Sequence, residues 1–177
     1  LSSANSINIG RLLPQMVYYF YAYASLVKSG EIVLGEKINF VVPTGNFGNI
    51  LAGYYAKQVG LPVHQLVCAS NDNNVLYDFI QTGVYDRKRD FLKTISPSMD
   101  ILISSNLERL LFYTSGCDHA YIKEIMNELA RDGKYKVRED VLANIQKEFK
   151  AGFATNEQTA KTIRDIYEKD NYLLDPH

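Results

Sequence analysis

The chain has 177 residues, of which 46% are hydrophobic and 22% are charged, and its net charge is −1. This composition is sufficient for one domain with a hydrophobic core, and a pI near 6.3 indicates no basic surface for nucleic acid. The sequence contains no run of about 18 apolar residues, so it predicts no membrane helix. We expect a cytoplasmic protein that binds neither nucleic acid nor membrane.

Residues that commonly hold metals or act as nucleophiles are few and scattered. The three histidines and the two cysteines, Cys68 and Cys117, lack the spacings at which side chains converge on one ion. No Gly-x-Ser-x-Gly motif occurs, and Cys68 lies in an apolar stretch, where a thiol is normally inert. We therefore predict no metal site, no disulfide framework and no serine or cysteine nucleophile.

The N-terminal part predicts a polar capping segment followed by one long helix. Apolar residues recur at helical spacing from about Ile9 to Lys28, and Gly30 ends the pattern. This helix also contains several tyrosines, which predict an aromatic surface that packs against a sheet or a partner domain.

A strand, a glycine-rich turn and a helix follow. Residues 38–42 are mostly β-branched or aromatic, which predicts a strand buried on both faces. The helix begins after Asn49 and ends at Gly60-Leu61-Pro62. Successive backbone N–H groups in such a turn, with the positive end of the helix dipole, form a site for phosphate. The candidate site residues are Gly45, Asn46, Phe47, Gly48 and Asn49.

This segment, the Gly45–Asn49 loop, has an alternative interpretation. Its G-x-x-G spacing differs from both the dinucleotide fingerprint and the nucleotide P-loop. Glycine and asparagine are also common in turns because they tolerate positive φ. If the loop binds an anion, we expect the strand before it and the helix after it to fix its geometry.

A second strand is predicted at Val63–Ala69, and the order strand, helix, strand favours a parallel sheet. The polar turn at 70–74 precedes a helix that starts near Val75. Since sites in α/β proteins lie at the carboxyl ends of parallel strands, this turn should lie beside the Gly45–Asn49 loop. It either contacts a ligand or only caps the helix.

The C-terminal half is predicted to be mainly helical. Its elements are a turn at 96–98, an extended run at 101–103, a helix capped by Asn106 that ends at 113, and helices at 118–131, 138–150 and 157–169. Two of these helices form a helical excursion at about 118–150. Thr155 caps the last helix, with Glu157 or Gln158 nearby.

Four segments resemble threonine synthase of the bacterial and fungal type, in the same order along the chain. They are Asn5-Ser6-Ile7-Asn8-Ile9-Gly10-Arg11-Leu12-Leu13-Pro14-Gln15, Val42-Pro43-Thr44-Gly45-Asn46-Phe47-Gly48-Asn49, Ser96-Pro97-Ser98-Met99-Asp100-Ile101 with Ser105-Asn106-Leu107-Glu108-Arg109, and Leu174-Asp175-Pro176-His177.

The resemblance implies an α/β fold: a three-layer parallel-sheet domain of the fold-type-II pyridoxal-phosphate enzymes, similar to tryptophan synthase β, with a helical insertion. Residues 1–177 would form part of its large domain. The implied cofactor is pyridoxal 5'-phosphate, held through its phosphate by the Gly45–Asn49 loop. The implied reaction converts O-phosphohomoserine and water into threonine and phosphate. Arg11 is the candidate for the substrate phosphate, with Ser6 and Asn8 as further substrate contacts.

The resemblance also implies that this chain is a fragment. The family's Schiff-base lysine stands in a Phe-Lys-Asp context upstream of Leu1, and the partner of the ring nitrogen lies beyond His177. We therefore expect no catalytic residue in this chain, no activity of the fragment alone, and a dependence on the remaining parts of the parent chain. The alternatives are another fold-type-II lyase or dehydratase, and a non-catalytic anion-binding domain.

Overall fold

A computed structural model describes residues 5–177, so the first four residues of the predicted unit lie outside the described residues. The described residues form eight helices and five strands. The helices are α1 (Ile9–Leu12), α2 (Met16–Ser29), α3 (Gly48–Gln58), α4 (Val75–Thr82), α5 (Leu107–Thr114), α6 (His119–Asp132), α7 (Glu139–Glu148) and α8 (Asn156–Asp170). The strands are β1 (Ile38–Pro43), β2 (Val63–Ser70), β3 (Val84–Asp86), β4 (Lys134–Lys136) and β5 (Phe149–Phe153).

The main sheet is parallel and has the strand order β1-β2-β5. Val41 is paired with Val67 across β1 and β2, and Leu66 is paired with Phe149 across β2 and β5. Helix α3 connects the first two strands, which confirms the predicted α/β class with a parallel sheet. Parallel strands share one carboxyl edge, and Pro43, Ser70 and Phe153 end the three strands there.

Two features of this sheet differ from the prediction. Strand β1 is not buried on both faces, because alternate residues point outwards and Val41 is 66% exposed. The helix predicted at 138–150 ends at Glu148 instead, and Phe149 is the first residue of β5. Strand β5 follows α7 directly, and its pairing with β2 overrides the weak strand propensity of Ala151 and Gly152.

The long N-terminal helix is interrupted once. A 3-10 turn at Leu13–Gln15 separates α1 from α2, because Pro14 has no N–H to continue the helical hydrogen bonds. Helix α2 ends at Gly30, whose φ of 80° is left-handed, as the sequence predicts. Tyr19 and Tyr23 are buried, so part of the predicted aromatic surface packs within this chain.

The helices of the predicted excursion pack into the main hydrophobic core. Tyr121 and Ile125 of α6, with Val141 and Ile145 of α7, belong to the same buried cluster as the α3 residues. Between these helices, β4 pairs antiparallel with β3 in a small second sheet. This sheet is absent from the prediction because three-residue strands carry too little pattern.

The strand cysteine behaves as predicted for an inert thiol. Cys68 is buried in β2, and its burial raises the pKa of the thiol to about 12. At neutral pH it is therefore protonated and a poor nucleophile. Among residues 5–177, no helix is both long enough and apolar enough to cross a membrane.

Gly53 allows α2 to pack closely on α3. A Cβ at this position would lie 2.6 Å from Tyr19 Cε1 and 3.0 Å from Leu66 Cδ2. Gly53→Ala should therefore displace the Tyr19 ring and lower the free energy of unfolding by about 1–3 kcal/mol. Urea unfolding measures this loss. Gly152→Ala is the control, because its Cβ would meet no atom within 4 Å. Equal unfolding midpoints for both variants would contradict the packing argument.

Candidate functional site

The Gly45–Asn49 loop joins β1 to α3 at the carboxyl edge of the sheet. Phe47 is the N-cap residue of α3, and its φ of 65° is left-handed. Gly45 and Gly48 do not have positive φ, so tolerance of positive φ does not account for either glycine.

The glycines are required for close approach instead. A Cβ on Gly45 would lie 3.1 Å from Met99 Cα and 3.3 Å from the carbonyl oxygen of Ser98. A Cβ on Gly48 would lie 3.2 Å from Asn106 Nδ2. The loop is thus packed against a second segment of the chain on each side.

The loop presents a row of backbone donors. In the part of the chain that the structure describes, the N–H groups of Gly45, Asn46, Phe47, Gly48 and Asn49 donate to no other group. Phe47, the N-cap residue, makes no side-chain capping bond, and Asn49 Oδ1 accepts a hydrogen bond from the Ile50 N–H at 2.9 Å. Unpaired N–H groups at the positive end of a helix form an anion-binding site.

Side-chain hydrogen bonds hold this loop from both sides. Asn49 Nδ2 donates to the carbonyl oxygen of Pro43 at 2.7 Å, and Thr44 Oγ1 donates to Asn49 Oδ1 at 2.5 Å. From a distant segment, Ser104 Oγ donates to the carbonyl oxygen of Gly45 at 2.8 Å. Asn106 makes similar bonds to Asn46. The loop is therefore fixed by residues about 60 positions further along, as well as by its neighbours.

A cavity of about 310 Å³ lies against the loop. It is lined by Ser6, Arg11, Leu12, Gln15, Pro43, Thr44, Gly45, Asn46, Gly48, Asn49, Ser98, Met99 and His177. None of these residues is acidic, and Arg11 supplies a positive charge. Together with the helix dipole, this lining favours a bound anion.

The predicted site residues are distributed unevenly around the cavity. Ser6 and Arg11 line it together with four of the five loop residues. Phe47 can contribute only its backbone, because its side chain is fully buried against Phe149. Asn8 lies outside the lining, and its side chain accepts a hydrogen bond from the Gly10 N–H at 2.9 Å, which caps α1.

Seven lining residues have no predicted role, although each lies in a segment that resembles threonine synthase: Leu12, Gln15, Pro43, Thr44, Ser98, Met99 and His177. His177 Nε2 accepts a hydrogen bond from the Ser98 N–H at 3.3 Å. His177 also lines a neighbouring cavity of about 220 Å³ at the carboxyl edge of the sheet, together with Pro43 and Ser70. The Asp175-Pro176-His177 segment therefore lies beside the candidate site.

A larger groove, of about 700 Å³, lies between α3, α5 and α6. Its lining is mainly apolar, with Tyr55, Phe112, Ile122 and Met126 among its residues. The Gly45–Asn49 loop does not line this groove. The smaller cavity, by contrast, combines the loop with the positive charge of Arg11.

The polar turn at 70–74 lies next to the site, as predicted, but its side chains bind other parts of the protein. Asn71 and Asn73 donate to Asp100 Oδ1 at 2.9 and 2.8 Å. The Thr94 N–H and hydroxyl also donate to this carboxylate, at 2.9 and 2.7 Å. Asn74 occupies the N-cap position of α4 without a side-chain hydrogen bond to the helix. The turn thus anchors the loop that carries Ser98 and Met99.

These hydrogen bonds also set the ionisation of Asp100. Burial opposes the charged form, but the hydrogen bonds from Thr94, Asn71 and Asn73 outweigh it, and the pKa of Asp100 lies below its ordinary value of 3.8. A carboxylate with a lowered pKa in the folded state stabilises the protein above its unfolded-state pKa. That contribution is lost as the pH falls through the folded-state pKa.

Asp100→Asn should therefore destabilise the protein at neutral pH. We expect a loss of about 1.5 kcal/mol, the low end for hydrogen bonds to a charged group, because the carboxylate is only half-buried. Below about pH 4 the difference between wild type and variant should shrink. Urea unfolding at pH 7 and at pH 3 measures both effects. A difference that is independent of pH would contradict a stabilising carboxylate.

No family model matches the chain. It is 46% identical over 178 residues to threonine synthase-like 1 from Homo sapiens, covering all of this chain and 24% of that protein. It is 42% identical over 190 residues to threonine synthase from Saccharomyces cerevisiae, covering all of this chain and 36% of that protein.

The fold is also similar to that of threonine synthase. The X-ray structure of PLP-bound threonine synthase from Brucella melitensis superimposes with a TM-score of 0.93 at 48% identity, covering all of this chain and 37% of that structure. The chain therefore has the α/β fold of the fold-type-II class. The resemblance to threonine synthase is confirmed over the full length of the chain, which spans between about a quarter and three-eighths of these relatives.

Proposed function

We propose that this chain is the cofactor-phosphate-binding part of a threonine synthase that depends on pyridoxal 5'-phosphate. The complete protein would convert O-phosphohomoserine and water into threonine and phosphate. The observation that carries this proposal is the row of unpaired N–H groups in the Gly45–Asn49 loop, at the N-terminus of α3. The similarity to threonine synthases supports the choice of cofactor and substrate.

The residues present fit a phosphate-bearing cofactor. The loop offers donors without acidic neighbours, and Gly45 and Gly48 keep its backbone free of side chains. The loop N–H groups would hold the cofactor phosphate, and the α3 dipole would stabilise its negative charge. When bound, pyridoxal phosphate supplies an electron sink for carbanions next to the substrate amino group.

Arg11 and Ser6 would bind the substrate's own phosphate, since both line the cavity together with the loop. A guanidinium binds phosphate through two parallel hydrogen bonds, and a hydroxyl donates a third. Asn8 remains a candidate contact, although its side chain caps α1. The rest of the parent chain would supply the lysine that anchors the cofactor, since no lysine in residues 5–177 lines the cavity.

Arg11→Ala tests the proposed function in the full-length protein. Loss of one charge-assisted contact costs about 1.5–3 kcal/mol, so kcat/KM for O-phosphohomoserine should fall about 10- to 150-fold. The change should appear mainly in KM, and the affinity for pyridoxal phosphate should be nearly unchanged. Steady-state phosphate release and cofactor titration measure the two quantities separately.

Arg131→Ala is the matched control, because Arg131 is exposed at the end of α6 and pairs with Asp132. It should leave both constants unchanged. Wild-type KM and kcat in Arg11→Ala would remove Arg11 from the substrate site. Absence of phosphate release from O-phosphohomoserine by the wild-type protein would reject the proposed reaction itself.

A further inference from the structure

Asn106 connects the two segments that form the candidate site. It is fully buried at the start of α5. Its backbone N–H and its Nδ2 both donate to the carbonyl oxygen of Asn46, each at 3.0 Å. The same Nδ2 donates to the carbonyl oxygen of Ser6 at 3.1 Å. Asn46 and Ser6 both line the cavity, so a single side chain holds its two walls together.

Arg109 determines the orientation of the Asn106 amide. The guanidinium donates to Asn106 Oδ1, and it also donates to the carbonyl oxygen of Ile7 at 2.6 Å. Because a guanidinium only donates hydrogen bonds, the amide oxygen must face Arg109. The amide nitrogen must then face the two backbone carbonyls, so the amide has one orientation.

This arrangement orients the loop peptide that follows Asn46. In a trans peptide the C=O and the next N–H point in opposite directions, and residues 5–177 contain no cis peptide. Two donors from Asn106 hold the Asn46 carbonyl, so the Phe47 N–H points away from Asn106. Ser104 acts in the same way on the Gly45 carbonyl and therefore on the Asn46 N–H.

We propose that Asn106, held by Arg109, is a positioning residue that keeps the loop N–H groups directed at a bound phosphate and fixes their spacing from Ser6. This inference rests on the proposed function, because it assumes that the cavity takes a phosphate group. Asn106 itself does not line the cavity. It acts through the Asn46 peptide and through Ser6.

Asn106→Asp is the sharpest test in the full-length protein. The substitution keeps the size of the side chain and a partner for Arg109, which favours folding. It replaces the two donor hydrogens with an acceptor that faces the Asn46 and Ser6 carbonyls. We expect the Kd for pyridoxal phosphate to rise at least tenfold and KM for O-phosphohomoserine to rise, with circular dichroism unchanged. Asn144→Asp is the control, since among residues 5–177 the Asn144 side chain donates to the Thr114 carbonyl in α5 and to no other group.

Arg109→Lys is the second variant, in case Asn106→Asp does not fold. It frees the Asn106 amide to rotate without removing its donors, so we expect a smaller, three- to tenfold rise in the cofactor Kd. Folded Asn106→Asp or Arg109→Lys protein that binds pyridoxal phosphate with wild-type affinity would overturn the positioning role. If wild type binds the cofactor but releases no phosphate from O-phosphohomoserine, the proposed reaction fails, and the cofactor titrations still test Asn106.

Discussion

Gly45→Asp should weaken the binding of pyridoxal phosphate by more than about a hundredfold in the full-length protein. The new Cβ would lie 3.1 Å from Met99 Cα, so the Ser98–Met99 wall of the cavity must move. This overpacking costs about 1–3 kcal/mol. The new carboxylate would also place a negative charge beside the loop N–H groups, where charge-assisted hydrogen bonds contribute about 1.5–3 kcal/mol. Titration with the cofactor measures the combined loss.

Two further variants separate these causes. Gly45→Ala adds the Cβ without the charge and should show only the packing part of the loss. Gly152→Asp adds a charge where a Cβ would meet no atom within 4 Å and should bind the cofactor normally. If Gly45→Asp binds pyridoxal phosphate like wild type, the Gly45–Asn49 loop is not the phosphate site.

A protein that consists of these 177 residues alone should release no phosphate from O-phosphohomoserine, even with added cofactor. Enzymes accelerate reactions at least about a millionfold, and this acceleration should be absent. The proposed chemistry needs a lysine at the cofactor, and no lysine among residues 5–177 lines the cavity. Lys57, on the same helix as the loop, lies about 14 Å from Gly48 along the axis. It is also held by Glu148 and the His64 carbonyl, both at 2.7 Å.

The full-length protein at the same concentration is the positive control, and Lys57→Arg in the 177-residue protein tests the lysine on the helix that follows the loop. Steady phosphate release by the 177-residue protein would show that a residue of this chain suffices for the chemistry. Loss of that release in Lys57→Arg would then identify Lys57 as the residue responsible.

The central part of the fold could be predicted from local sequence patterns. Strands β1 and β2, helix α3 and the left-handed end of α2 at Gly30 all follow from short-range periodicity and glycine placement. The cap of the last helix is also local. Thr155 and Gln158 form a reciprocal capping box over four residues. Two local features are exceptions: Pro14 interrupts the predicted N-terminal helix, and alternate residues of β1 are exposed.

The other differences arise where residues distant in sequence determine the structure. Asn106 occupies the predicted N-cap position of α5 but makes no side-chain cap there, because its amide binds Asn46 and Ser6, 60 and 100 residues away. Asparagine is equally favourable in a cap, so the sequence cannot distinguish these roles. The run at 101–103 has the composition of a strand but remains irregular, and it pairs with no strand of residues 5–177.

The predictability of the candidate site also differs between local and distant residues. The Gly45–Asn49 loop and the contribution of Ser6 and Arg11 follow from recognisable segments of sequence. The expectation that the neighbouring strand and helix alone fix the loop is too simple. Ser104, Asn106 and the Ser98–Met99 backbone also hold it, and no pattern near the loop indicates these contacts.

The left-handed conformation of Phe47 has a consequence for the order in which the protein assembles. A non-glycine residue in this conformation is disfavoured by about 1–2 kcal/mol, and the Phe47 side chain is buried against Phe149 of β5, with ring centroids 5.5 Å apart. About a hundred residues separate the two rings in sequence, and such long-range contacts form late because closing the intervening chain costs entropy. During synthesis on the ribosome, α3 therefore emerges well before the strand that holds its N-cap residue in place. We expect a nascent chain that stops before Phe149 to form the helix but not a phosphate-binding loop, so that cofactor capture is postponed until the sheet is complete.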